Sequence, residues 1–164
     1  MRFRVEQAIG APVAAVTAAV VDAAYYDQAG PTSTLSAPEV VLDRRRGDVV
    51  DLHLRYGYTA DLGGPARRLL DPAKLTWVMR QEVVVTAGTV TFVLVPDHYP
   101  DRLTCSGHGR FTARGEATVQ TVDGDLRVHV PLVGGSAERA MVGGLRRHLA
   151  DEAARLADWA RRAT

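Results

Sequence analysis

The C-terminal stretch Ser136–Arg162, SAERAMVGGLRRHLADEAARLADWARR, decides the fold because it carries an unbroken helical pattern. Successive residues of an α-helix are rotated by about 100°, which collects the large apolar side chains in one stripe and the charged ones elsewhere. The stripe consists of Met141, Leu145, Leu149, Leu156 and Trp159. A helix of this length with one apolar face needs a large partner surface, and the preceding part of the chain predicts a sheet.

The sheet is predicted from alternation. From Glu39 onward, apolar and polar residues alternate with a period of two, which is typical of half-buried strands. The alternating sets begin at Leu52, Leu75, Val90, Cys105 and Val122. Because short links join them, we expect an antiparallel meander with one face toward solvent.

The segment ahead of this meander predicts one more strand and one or two short helices. Residues 2–9 alternate as a strand does, and Pro12 suits the first turn of a helix that runs to about Asp22. A second short helix or turn follows over 23–29, and residues 30–38 have the composition of a loop. The predicted fold class is α+β, with a curved antiparallel sheet of about seven strands wrapped around the long C-terminal helix, in one domain over the whole chain.

The links between the predicted strands alternate in length. The tight turns are Arg46-Gly47-Asp48, Thr86-Ala87-Gly88 and Arg114-Gly115-Glu116, and the longer links are 59–73, 96–101 and 131–135. In a meander every second link falls at the same end, so one rim carries tight turns and the other carries long loops. Binding sites gather on loops that a rigid scaffold holds, so we expect any opening at the long-loop rim.

Two polar residues, His148 and Glu152, interrupt the apolar stripe of the helix. They are four positions apart, so their side chains can meet on the same face. One interpretation is a structural pair that satisfies itself or reaches water at the edge of the core. The other is a polar contact for a ligand, or an acid/base pair whose pKa values are shifted by burial.

The inward face of the predicted sheet mixes aromatic, adaptable and polar side chains, which favours a cavity lining. With the helix stripe, the candidate ligand-binding set is Tyr56, Tyr58, Trp77, Met79, Gln81, Phe92, Cys105, Phe111, Met141, Leu145, His148, Leu149 and Glu152. Gly107 and Gly109 fall on the same face, where strand glycines indicate strong curvature and also leave space. An ordinary packed core is the alternative, and periodicity does not distinguish the two.

The composition excludes several function classes. Twenty basic residues balance 19 acidic ones, a net charge of +1, so nothing indicates a nucleic-acid or anionic-membrane partner. The single cysteine, Cys105, suits a reducing compartment, and no stretch is long enough to span a membrane, so we expect a cytoplasmic protein without stable membrane insertion. There is no HExxH, CxxC, P-loop or GxGxxG spacing, so neither a metal nor another cofactor is predicted.

The order of strand, short helices, antiparallel strands and long helix resembles the START-like helix-grip superfamily, also called SRPBCC. That superfamily includes polyketide cyclases, plant allergens and lipid-transfer domains. The segments that carry the resemblance are Met1–Glu6 with Ala11–Val13, and Pro131–Glu138 entering the last helix. The latter is similar to a branch of unknown function from high-GC actinobacteria. The resemblance implies a deep apolar cavity between sheet and helix, but it carries over no catalytic motif.

Three hypotheses about function follow. The first is a protein that binds a hydrophobic or aromatic small molecule or a lipid in that cavity, without catalysis. The second is an enzyme similar to polyketide aromatase/cyclases, with His148 as general base and Glu152 as its partner. The third is a protein-interaction domain with a filled core. The first two require a cavity between the sheet and the helix, and the third requires that this space be filled.

Overall fold

The computed structural model describes residues 1–163, and its main element is a seven-stranded antiparallel sheet in the order β1-β7-β6-β5-β4-β3-β2. The strands are β1 Arg2–Ile9, β2 Glu39–Arg46, β3 Val49–Gly57, β4 Thr76–Val84, β5 Thr89–Pro96, β6 Leu103–Arg114 and β7 Ala117–Val128. From β2 to β7 every strand pairs with its neighbour in sequence, and β1 closes the order beside β7. The predicted meander and fold class are confirmed.

Two short helices, α1 (Val13–Ala19) and α2 (Ala23–Gln28), follow the first strand. Pro12 is the residue before α1 rather than part of its first turn, and α1 ends at Ala19 instead of reaching Asp22 as predicted. The reason is local, since the Asp22 carboxylate accepts a hydrogen bond from the Ala24 amide (2.9 Å) and so begins a separate helix.

The two rims of the sheet differ as the link lengths predict. Tight turns close one rim, where Gly47 and Gly115 have φ near +63° and +62°, a region that favours glycine. The opposite rim carries α3 (Gly64–Arg67) and a 3₁₀ turn, neither of which the sequence pattern predicts. Its long loops are joined, because the Asp71 amide donates to the Tyr99 hydroxyl (3.2 Å) and the His129 amide donates to the Arg102 carbonyl (2.8 Å).

The long helix α4 spans Gly134–Arg162, which begins two residues before the predicted start. The Glu138 carboxylate accepts a hydrogen bond from the Val128 amide (3.0 Å) and so ties the first turn of α4 to the end of β7. Further along, α4 packs chiefly against β1, β7 and α1. Near its end, the Trp159 ring meets Tyr25 of α2 edge to face, with ring centres 5.8 Å apart.

Two glycines pair with each other across strands β6 and β7. Gly107 of β6 pairs directly with Gly124 of β7, and their outer neighbours in the same row are Phe92 and Phe3. A Cβ on Gly107 would collide with the Asp123 carbonyl oxygen and lie 2.7 Å from Phe92 Cζ. Close packing therefore requires glycine at both positions. The absent side chain of Gly107 does not leave free space for a ligand, because the Phe92 ring occupies it.

Candidate functional site

A cavity lies between the inner face of the sheet and α4. Its volume, counted as the space that the centres of water-sized molecules can reach, is about 150 Å³. Every side chain of the predicted lining set stands on its wall: Tyr56, Tyr58, Trp77, Met79, Gln81, Phe92, Cys105, Phe111, Met141, Leu145, His148, Leu149 and Glu152. The hollow removes the filled core on which the third hypothesis depends. That these residues bind a ligand stays a prediction.

Other wall residues were missed by the sequence reasoning. They include Val20, Tyr26, Leu35, Gln120 and Leu126. Gln120 shares its strand face with Val122, so the alternation of β7 was a signal that could have placed it on the wall. Val20, Tyr26 and Leu35 lie outside the meander, and no local pattern places them at the cavity.

His148 is held at the cavity wall by hydrogen bonding to the connecting segment. The Thr32 hydroxyl accepts a hydrogen bond from the Leu35 amide (3.1 Å) and lies within hydrogen-bond distance of His148 Nδ1 (3.1 Å), where the tautomer of the imidazole sets which group donates. The other ring nitrogen, Nε2, lies 3.9 Å from Glu152 Oε2. That separation exceeds a hydrogen bond, so the two side chains approach each other without satisfying one another.

Burial sets the charge of this cluster. Desolvation lowers the pKa of His148 below its ordinary value, although the nearby Glu152 carboxylate acts in the opposite direction. The imidazole is therefore neutral at neutral pH. Burial likewise raises the pKa of Tyr56, whose ring meets His148 edge to face at 5.6 Å. Glu152 is the one acidic side chain among the described wall residues, none of which is a lysine or arginine.

The connecting segment 30–36 runs along α4 and closes the cavity beside His148. The Thr34 hydroxyl donates to the Gly144 carbonyl (2.8 Å), and the Ser33 amide and hydroxyl both donate to Asp151 Oδ2 (2.9 and 2.7 Å). Arg155 donates to the carbonyls of Gly30 and Pro31. The helix residues that make these contacts, with His148, are three or four positions apart and so lie along one flank of α4. They hold residues 30–34 against the helix.

Gly144 allows a close approach of α4 to the sheet. A Cβ at this position would lie 3.1 Å from Tyr58 Cε2 and 3.2 Å from its hydroxyl oxygen. At the adjacent Gly143, in contrast, a Cβ would meet only the end of the Arg147 side chain, at 3.7 Å. The close approach at Gly144 lets the Tyr58 ring reach across the end of the cavity, where its hydroxyl donates to the Ala140 carbonyl (3.3 Å).

A second, much smaller hollow of about 10 Å³ adjoins the cavity on the side of segment 30–36. It shares Tyr26, Tyr56, His148 and Glu152 with the cavity, and its other walls include Gly30, Pro38 and Arg155. Its volume suits about one water molecule. His148 and Glu152 therefore border both the main cavity and the smaller hollow.

Two wall residues carry polar atoms in apolar surroundings. Burial raises the pKa of the Cys105 thiol to about 12, so the nucleophilic thiolate is not formed at neutral pH. The buried Trp77 Nε1 has no hydrogen-bond acceptor within residues 1–163. Cys105 therefore contributes surface and shape to the wall, whereas Trp77 also holds an N–H donor without a partner in the described part of the chain.

Two further properties concern the described chain, residues 1–163. It contains no group of three or more His, Cys, Asp or Glu side chains placed to hold a metal ion. Within the same residues, no helix combines the length and the apolar character that crossing a membrane requires.

Several solved structures share this fold. The protein TTHA0849 of Thermus thermophilus is 18% identical, with 100% of this chain and 99% of that chain covered and a TM-score of 0.69. The Zhui aromatase/cyclase of Streptomyces sp. R1128 is 17% identical, with 100% and 96% covered and a TM-score of 0.63. A START superfamily protein of Mycobacterium smegmatis is 17% identical, with 99% of both chains covered and a TM-score of 0.61.

At these identities the likeness establishes the fold, which is the helix-grip fold of START-like proteins, as the sequence resemblance predicted. The comparison with curated proteins finds no match. Residues 4–160, nearly the whole chain, match one family, described as "Protein of unknown function (DUF2505)". The chain therefore belongs to the DUF2505 family, built on a START-like fold.

Proposed function

We propose that the protein binds a neutral, mainly apolar small molecule in the cavity between the sheet and α4. The observation that carries this proposal is the cavity itself, about 150 Å³ inside a wall made mostly of aromatic and aliphatic side chains. Proteins close such spaces with their own side chains unless the space is used, because each void forfeits packing contacts. Apolar pockets with a few polar groups are the usual form of small-molecule sites.

The volume limits the size of the ligand. One water molecule needs about 10–15 Å³ on this measure, so the cavity has room for roughly ten to fifteen water-sized groups. A molecule of two or three fused aromatic rings fills that space, whereas a sterol or a long acyl chain requires the walls to move. Among the lipid and aromatic ligands that the resemblance implies, the dimensions favour the aromatic ones.

Thermal unfolding with a ligand panel tests the proposal. We expect naphthalene- to fluorene-sized compounds to raise the melting temperature by about 5–10 °C at a hundredfold excess over Kd, since binding then contributes about 2.7 kcal/mol. Native mass spectrometry should show one bound molecule per chain. If no panel member produces either signal, the proposal is wrong.

A second candidate function is catalysis similar to that of polyketide aromatase/cyclases. It is supported by the neutral, buried His148 imidazole at the cavity wall, with Glu152 close to its Nε2. A neutral imidazole accepts a proton in enolisation and dehydration steps. The Zhui protein, which shares this fold, is described as an aromatase/cyclase, and the description applies to that protein.

A His148→Ala variant separates the two candidates. With a poly-β-ketone substrate mimic, general-base catalysis predicts a loss of turnover of about 100-fold or more, while the affinity for the mimic changes little. Loss of affinity alone, or no turnover by the unaltered protein, leaves the binding function. The cytoplasmic location and the actinobacterial origin stay predictions.

A further inference from the structure

Two hydrogen bonds beside the cavity fix the orientation of the side-chain amide of Gln7. Gln7 Nε2 lies 2.7 Å from the Leu149 carbonyl oxygen of α4. A carbonyl oxygen only accepts hydrogen bonds, so the amide of Gln7 must present its –NH₂ group there. The backbone of α4 therefore determines that the –NH₂ group of Gln7, and not its oxygen, faces the helix.

The second N–H of Gln7 then orients Gln120. Gln7 Nε2 also lies 2.7 Å from Gln120 Oε1, and that contact requires the Gln120 oxygen to face Gln7. The –NH₂ group of Gln120 must point away from it. Gln120 is 8% exposed and stands on the cavity wall, and its –NH₂ group has no acceptor among residues 1–163. Gln120 Nε2 is not one of the fully buried polar atoms that lack a partner, so this donor remains accessible to a water molecule or a ligand that can accept from it.

We infer that the ligand carries a neutral carbonyl group that accepts a hydrogen bond from Gln120 Nε2, so that the protein selects aromatic ketones over the parent hydrocarbons. This inference rests on the proposed function and names the ligand class of the same cavity. Gln120 is the contact residue, and Gln7 is a positioning residue that acts through it.

The acceptor must be neutral because of the charges around it. The described wall contains no lysine or arginine, and its one acidic side chain is Glu152. A carboxylate or phosphate on the ligand would be buried without a counter-charge and repelled by Glu152, which is costly in an apolar interior. A ketone carbonyl satisfies the Gln120 donor without adding charge.

The test uses two probes of nearly identical shape, 9-fluorenone and fluorene, which differ in one carbonyl oxygen. Dissociation constants are measured by calorimetry or competition for the intact protein and for Gln120→Met. We expect Gln120→Met to weaken fluorenone binding about three- to tenfold, the usual size of one neutral hydrogen bond, and to leave fluorene binding within twofold. Acetylnaphthalene and ethylnaphthalene form a second pair of different geometry.

Two further variants complete the test. Gln120→Glu keeps an oxygen for Gln7 but offers the cavity a carboxylate, so its loss of fluorenone affinity should exceed that of Gln120→Met. Gln81→Met removes the other amide on the wall, and the ketone preference of this variant shows which of the two amides contacts the carbonyl. The melting temperature of each variant without ligand shows that it is folded.

The outcomes separate the two proposals. If neither probe of either pair binds, the proposed function and this inference both fall. If ketones and hydrocarbons bind but Gln120→Met weakens them equally, the binding function stands and the inference is overturned. The inference is also overturned if the preference is lost in Gln81→Met and kept in Gln120→Met.

Discussion

Replacing Gly107 by alanine is expected to lower the free energy of unfolding by about 3 kcal/mol or more. The added Cβ would collide with the Asp123 carbonyl oxygen and would lie 2.7 Å from Phe92 Cζ and 2.8 Å from Gly124 Cα. Two of these three obstacles are backbone atoms of the paired strand, which side-chain rotation does not relieve. Strands β6 and β7 would have to separate at the Gly107–Gly124 pair.

Gly109→Ala is the matched control for this prediction. Gly109 lies two residues further along β6 on the same face, but a Cβ there meets its nearest atom, the Thr121 carbonyl oxygen, at 3.5 Å. That is an ordinary contact, so we expect the free energy of unfolding to change by less than about 1 kcal/mol. Alanine lowers the conformational entropy of the unfolded chain, which favours the folded state. Urea denaturation of both variants measures the difference. Equal stabilities would show that the close approach at Gly107 is not rigid.

The two glycines also show what alternation can and cannot predict. The period of two correctly placed Gly107 and Gly109 on the inner face of β6, and it indicated curvature there. It did not distinguish the glycine filled by Phe92 from the one that borders the cavity, because this depends on the partner strand. On β7, Gly107 is paired with Gly124, whereas Gly109 is paired with Val122. Strand pairing is tertiary information that no single strand contains.

The candidate site divides in the same way. Its sheet and helix walls could be predicted because one face of a strand or helix is a local property. The contacts that orient His148 could not, since Thr32 is 116 positions away in the chain and lies in a segment with only a loop composition. Gln120 was missed because the last alternating set was begun at Val122, whereas β7 begins at Ala117 and so includes Gln120. Its importance depends on Gln7 and on a helix carbonyl, and both become neighbours only in the folded chain.

Filling the cavity should abolish binding without unfolding the protein. Leu145 projects from α4 onto the cavity wall and is half-buried, so an indole at this position has space to enter. Tryptophan adds about six non-hydrogen atoms to a space for roughly ten to fifteen water-sized groups. A fused-ring ligand then no longer fits. We expect Leu145→Trp to weaken fluorene or fluorenone binding at least about 100-fold, which corresponds to about 2.7 kcal/mol.

The stability of the variant makes this prediction decisive. Filling an existing void restores packing contacts, so the melting temperature of Leu145→Trp without ligand should be maintained or raised. Leu69→Trp is the control, because Leu69 is 49% exposed on the long-loop rim and lies outside the cavity wall. Its affinity for the same ligand should stay within twofold. Cys105→Met, which enlarges a side chain on the opposite wall, should weaken binding about tenfold by the same steric argument. If both wall variants keep the original affinity while remaining folded, the ligand binds elsewhere, because a molecule inside this cavity has no way to avoid the added atoms.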